Sequence, residues 1–247
     1  MLVTQNDIIS QLKREILPLE GYKPVGKNDD RIDLGPINES FPNKTFPIGS
    51  VHEFLFNNDE AASSTIGFVS GILKHILKID NGIAIWISAS RKIFPPSFLC
   101  FGIKPENVIF IDLPSEKDVF TATLDCLKCE GVSAVISEAA QLDFTQTRKL
   151  QLAVEASRVT GFILKNTKKT QGHSACVARW VIAPVPGNII QDLPGVGQIQ
   201  WNVQLKKIRN GKPGQWTLGW FDTEFNFAQT ENHTSFMHEE MQRKKAG

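Results

Sequence analysis

The 247-residue sequence predicts an α/β fold: a mixed sheet with a parallel core, flanked by helices and extended at one edge by an antiparallel meander. Three observations carry this. From Val51 onward, short apolar runs alternate with stretches of helical period. The links between them are short. Near Cys176 the alternation stops, and the remaining strand candidates follow one another with no room for helices.

The elements follow in chain order. "TQNDIISQLKREIL" has an amphipathic helical pattern capped near Thr4, with Ile8, Ile9, Leu12, Ile16 and Leu17 apolar. Residues 18–48 are rich in Pro, Gly, Asn and Asp, which predicts an irregular arm crossing the surface. "VHEFLF" reads as a strand, and residues 60–79 as a helix with Ile66, Val69, Leu73 and Ile76 on one face. Gly67 and Gly71 would let that helix approach the sheet closely. "GIAIWIS" (82–88) and "NVIFID" (107–112) are buried strands. Ser115 and Asp118 start a helix reaching to about Lys128. "SAVIS" (133–137) is a strand, Thr145 is the expected cap of a helix carrying Leu150, Ala153 and Val154, and "GFILK" (161–165) is the next strand. "CVARWVIAPV", "IQWNVQLKKI" and "QWTLGWF" form the meander, with "RNGKPG" (209–214) as its last hairpin turn. The expected division is 1–48 as helix and arm, 49–227 as the α/β domain, and 228–247 as a polar tail.

Composition excludes several classes. A chain with 41% hydrophobic and 21% charged residues can bury a core without disulfides or structural metal. A formal net charge of +1 gives no global drive toward nucleic acid or anionic membrane. No apolar run approaches the ~18–20 residues of a membrane span, and the N-terminus lacks a signal-peptide pattern. With four cysteines, this predicts a reduced, cytoplasmic setting. Cys126 and Cys129 form a CxxC late in a predicted helix, where they would share a buried face. The histidines have no metal-ligand spacing, and no acid or histidine is placed to activate Ser63 or Ser64. No catalytic residue, metal or cofactor is expected.

Local words add a resemblance. "FPIGSVHEFLF", "FGIKPENVIFID", "GVSAVISEAAQLD" and the run from "RVTGFILK" to "GQWTLGW" resemble the RecA-like P-loop NTPase fold. More narrowly, "VHEFL", "DFTQTRKLQLAVEASRVTGFIL", "ARWVI" and "VQLKKIRNGKPGQWTLGW" resemble the ImuA family, RecA- and SulA-related proteins of SOS-induced mutagenesis. The resemblance spans about Asp33 to Trp220. It implies strand order 3-2-4-5-1-6-7-8, with strands 1–5 parallel and 6–8 antiparallel. It implies a non-enzymatic accessory role in error-prone translesion synthesis. The implied partners are an ImuB-like inactive Y-family protein and a DnaE-type polymerase, with RecA as a further candidate.

On that frame a degenerate nucleotide site falls at Phe56, Ala61, Ala62, Ser63 and Glu138. Phe56 and Ala61 stand where phosphate-loop glycines would, and Ala62 where the lysine would. Ser63 keeps the metal-binding hydroxyl and Glu138 the Walker B carboxylate. Asp59 and Glu60 add carboxylates, each opposing a phosphate by about 4 kcal/mol at ~4 Å and an effective dielectric of ~20. Losing the lysine removes roughly 1.5–3 kcal/mol more. ATPase activity is therefore not expected. For DNA, the candidate phosphate contacts are Lys165, Lys168 and Lys169 in one loop, and Lys206, Lys207, Arg209 and Lys212 in the meander. The loop lacks an aromatic for base stacking, so DNA is expected to be reached mostly through a partner. The competing readings are a SulA-like cell-division inhibitor and a RecA-type ATPase with residual nucleotide binding.

Overall fold

The computed structural model describes residues 32–89, 93–139, 142–167, 172–187 and 197–227, with Leu12 and Ile16. Lys168, Lys169, the tail 228–247 and the N-terminal helix apart from Leu12 and Ile16 lie outside the described residues. Those two are helical and about half exposed.

Among the described residues, one nine-stranded sheet organises the chain, in the order β3-β2-β4-β5-β1-β6-β7-β8-β9. The strands are β1 (Val51–Phe56), β2 (Ile83–Ser88), β3 (Val108–Asp112), β4 (Val132–Glu138), β5 (Thr160–Asn166), β6 (Ala178–Val185), β7 (Ile199–Ile208), β8 (Gly214–Phe221) and β9 (Glu224–Phe227). Strands β1 to β5 are parallel, as the helix-linked pattern predicts. The antiparallel expectation for strands 6–8 is corrected at β6, which runs parallel to β1. β6 starts beside His52, at the same end as β1, so the direction reverses only at β7. β9 is a further strand, paired antiparallel to β8.

Among the described residues, three α-helices cover the sheet. α1 (Asp59–Asp80) lies on one face, while α2 (Glu116–Cys126) and α3 (Phe144–Ser157) lie on the other. Each start has a chemical cause. Asn58 caps α1 by accepting from Ala61 N–H at 2.7 Å, and Ser115 caps α2 by accepting from Asp118 N–H. α3 is capped by Asp143, not Thr145. Its carboxylate accepts from Gln146 N–H, while Gln146 Oε1 accepts from Asp143 N–H, a reciprocal box. Asn81 and Arg158 end α1 and α3 in the left-handed region.

The side chains of β1 sort the two cores. His52 and Phe54 point to the α1 side, where Phe54 packs with Phe68 and Trp180. Val51 points to the other, with Ile163, Leu150 and Val154. Gly71 earns its place in α1: a Cβ there would stand 2.6 Å from the Phe225 ring and 2.8 Å from Trp220. Residues 32–48 depart from a surface arm. Ile32, Leu34, Ile37, Phe41 and Phe46 are buried in the α1-side core, because the apolar residues between the Pro and Gly turns fill its rim. The CxxC is also corrected, since Cys126 is half-buried at the end of α2 while Cys129 lies in the following turn, exposed.

Candidate functional site

The C-terminal end of β1 is where the fold would receive a nucleotide, and it is built differently. Only Asn57 and Asn58 separate β1 from α1, so the chain enters its helix without a phosphate-wrapping loop. Ala61 and Ala62 lie buried in the first turn of that helix. The Ala61 N–H is taken by Asn58 Oδ1, and the Ala62 N–H by the Asn58 carbonyl at 3.0 Å. Ser63 is exposed, and its hydroxyl donates to the Asp59 carbonyl at 2.9 Å. Phe56 packs against the α1-side core, and its carbonyl accepts from Thr167 N–H at 2.7 Å. Glu138 accepts from Trp86 Nε1–H at 2.7 Å, a bond between neighbouring strands that fixes a buried indole. Beside it, Ser88 Oγ is buried without a partner among the described residues, but one hydroxyl does not make a phosphate cradle. These residues do not fit a nucleotide. The Ala61 amide is capped internally, the first turn has no lysine, and Asp59 and Glu60 put two exposed carboxylates in the way.

The basic candidates divide. Lys165 is 4% exposed, and its ammonium donates to the Leu142 carbonyl at 3.0 Å and reaches Glu53 at 3.4 Å. Both bonds hold it below the outer surface, at the floor of a cleft and not on an exposed loop. Lys207 donates to the Ser174 carbonyl and Arg209 to the Ala175 carbonyl, each at 3.0 Å. Arg179, which the sequence did not single out, donates to the Gly172 carbonyl at 2.8 Å. Three cations therefore bind segment 172–175 by its backbone. Lys206 and Lys212 are exposed.

Sequence reasoning missed the buried group beneath that segment. Glu53 is 1% exposed and receives Arg179 Nε–H at 2.6 Å as well as Lys165. The signal was available: Glu53 interrupts the apolar run "VHEFLF", and a charge inside a buried strand needs a partner. Cys176 lies nearby, its thiol pushed up to about 12 by burial and then by the Glu53 field. Among the described residues, no group of three or more His, Cys, Asp or Glu is arranged for a metal, and no helix is long and apolar enough to cross a membrane.

A mostly parallel nine-stranded mixed sheet, flanked by helices and closed by an antiparallel edge, defines an α/β protein whose layout is consistent with a RecA-like fold. No family model matches the chain. Two curated relatives do, both called Protein ImuA, from Caulobacter vibrioides strains NA1000 / CB15N and ATCC 19089 / CIP 103742 / CB 15. Each is 29% identical over 193 residues, covering 74% of this chain and 79% of the relative. This likeness supports membership of the ImuA family for the chain.

Proposed function

We propose that the chain is a non-enzymatic accessory protein of SOS-induced, error-prone translesion DNA synthesis, acting through protein contacts. Its partners are an ImuB-like inactive Y-family protein and a DnaE-type polymerase, with RecA as a further candidate, and it reaches DNA chiefly through them. The observation that carries this reading is the β1–α1 junction. With Asn58 holding the Ala61 amide, no lysine in the turn and two carboxylates beside it, the position lacks the wrapping loop and the cation that phosphate binding requires. The likeness to ImuA lends the biological setting. Calorimetry with ATP and Mg²⁺ should give no heat of binding at ordinary cellular concentrations. Pull-down should retain an ImuB-like protein and not an FtsZ-type one. A micromolar dissociation constant for ATP that disappears in Ser63→Ala, or selective retention of the FtsZ-type protein, overturns the proposal.

A further inference from the structure

At the C-terminal ends of β4 and β5, a cleft of about 730 Å³ opens between the first turns of α2 and α3. That volume is in the ~300–1,000 Å³ range of ligand pockets. Lys165 lines the cleft although nearly all of its surface is buried. The charges beneath it are unequal. Arg179 Nε–H makes a tight 2.6 Å bond to Glu53 Oε2, while Lys165 Nζ reaches Glu53 Oε1 only at 3.4 Å. Among the described residues, Glu53 is the carboxylate that both cations reach, so one carboxylate serves two cations. The Cys176 thiol, raised by burial, stays neutral and adds no negative charge. An ammonium has three donors, and the structure gives Lys165 two acceptors, Glu53 and the Leu142 carbonyl. That leaves Lys165, which lines the cleft floor, with one further donor, and the Glu53–Lys165–Arg179 group with a formal excess of one positive charge. A buried charge without a counter-charge is costly, so a ligand bringing one negative charge is favoured there.

The walls select the kind of anion. Phe120 and the half-exposed Phe144 supply apolar surface. The rim sets the two carboxylates of Glu116 and Asp143 against the one cation of Lys117, a net negative charge that repels a polyanion such as a nucleic-acid backbone. The opposite wall includes Gly172, held in place by Arg179. A single carboxylate carried next to an apolar side chain satisfies floor and walls together. Capture of a terminal carboxylate is a recurring mode of peptide recognition.

We propose that this cleft binds the C-terminal carboxylate of a peptide whose last side chain is apolar. Lys165 Nζ is the anion contact, and Phe120 and Phe144 seat the side chain. The proposal stands independently of the accessory role argued above. The test is calorimetry of the full chain with the acetylated tetrapeptide Ac-GSGF as the free acid, as its C-terminal amide, and with 3-phenylpropionate alone. The free acid should bind with a sub-millimolar dissociation constant, and the amide and 3-phenylpropionate at least tenfold more weakly. Lys165→Met should abolish binding while the chain stays folded, since Arg179 alone then balances Glu53. Phe144→Ala, at a residue 54% exposed, leaves the core intact and should weaken binding several-fold. Equal affinity for acid and amide, or binding unmoved by both substitutions, overturns the proposal. Equal affinity for 3-phenylpropionate overturns the peptide assignment. Displacement of the peptide by single-stranded DNA would show a nucleic-acid site instead, and also overturns it.

Discussion

Acid should destabilise this protein through one histidine before most carboxylates begin to protonate. His52 is fully buried on β1, stacked on Phe46 at 4.3 Å between ring centroids. Its Nε2 lies 2.7 Å from the Pro47 carbonyl and must donate, so Nδ1 is the lone pair facing Trp180 Nε1–H at 3.4 Å. Both ring nitrogens are thus satisfied in the neutral form. Burial, opposed weakly by the Pro47 bond, lowers the pKa from 6.5 to about 4. The unfolded chain protonates this ring below about 6.5 and the folded one only below about 4. Stability from the neutral ring is therefore complete above 6.5 and falls with pH through that window, levelling off below about 4. With 1.36 kcal/mol per pKa unit, the loss reaches about 2 kcal/mol at pH 5.0 and about 3 kcal/mol at the plateau. Urea unfolding followed by tryptophan fluorescence reads this directly. With a slope of ~2 kcal/mol/M, the midpoint should fall by roughly 1 M between pH 7.5 and 5.0. His52→Phe is the control. It leaves the Pro47 carbonyl and the Trp180 N–H unpaired and costs ~1–3 kcal/mol at pH 7.5, but removes the titration. His75 is also lowered, by burial and against the pull of Glu224, and contributes equally to both proteins. The informative quantity is the difference in pH slope between wild type and variant. Identical slopes would refute the assignment.

Gly71→Ala should lower stability by ~1–3 kcal/mol, measured by urea midpoint, because the new methyl meets two buried aromatic rings below 3 Å. Glu53→Gln strands Lys165 and Arg179 without a counter-charge and should cost ~3–5 kcal/mol in the same assay. A loss under ~1 kcal/mol would show that the two cations do not need it. Asn58→Ala should cost about 1 kcal/mol through the α1 cap and leave the absence of ATP binding unchanged, checked by melting and calorimetry in parallel. For DNA, fluorescence anisotropy at ~150 mM salt should show weak binding that falls steeply as salt is raised. Lys206→Glu with Lys212→Glu should reduce it, since both are exposed and neither is tied down as Lys207 is by the Ser174 carbonyl; nanomolar binding would contradict the reading.

The parallel core and the hairpin at 209–214 were legible because fully apolar runs and a Gly-Pro turn leave little choice of structure. β9 was not, since "EFNF" has four residues, of which only Phe225 is buried. The direction of β6 was equally hidden, because no pattern inside a strand records which way it enters a sheet. The arm misled for a different reason. Its Pro and Gly residues mark turns, but turns do not prevent Phe41 and Phe46 from burying between them. At the candidate nucleotide site, the missing glycines and lysine could be read residue by residue. The Glu53–Lys165–Arg179 group could not, because its members are separated by 112 and 126 positions and meet only once the sheet is assembled.

The latch between α1 and the chain's last described strand has a consequence during synthesis. Phe225 covers Gly71, and Lys74 donates to Glu224 and to the Thr223 carbonyl, pairs separated by about 150 positions. At ~5–20 residues per second, the groove of α1 is made about 8–30 s before the strand that seals it. Through that interval Phe68, Ile72 and Gly71 present an uncovered apolar face. A ribosome stalled before Phe225 would hold a nascent chain with every parallel strand formed and its widest helix still open, a substrate for chaperones rather than a finished protein.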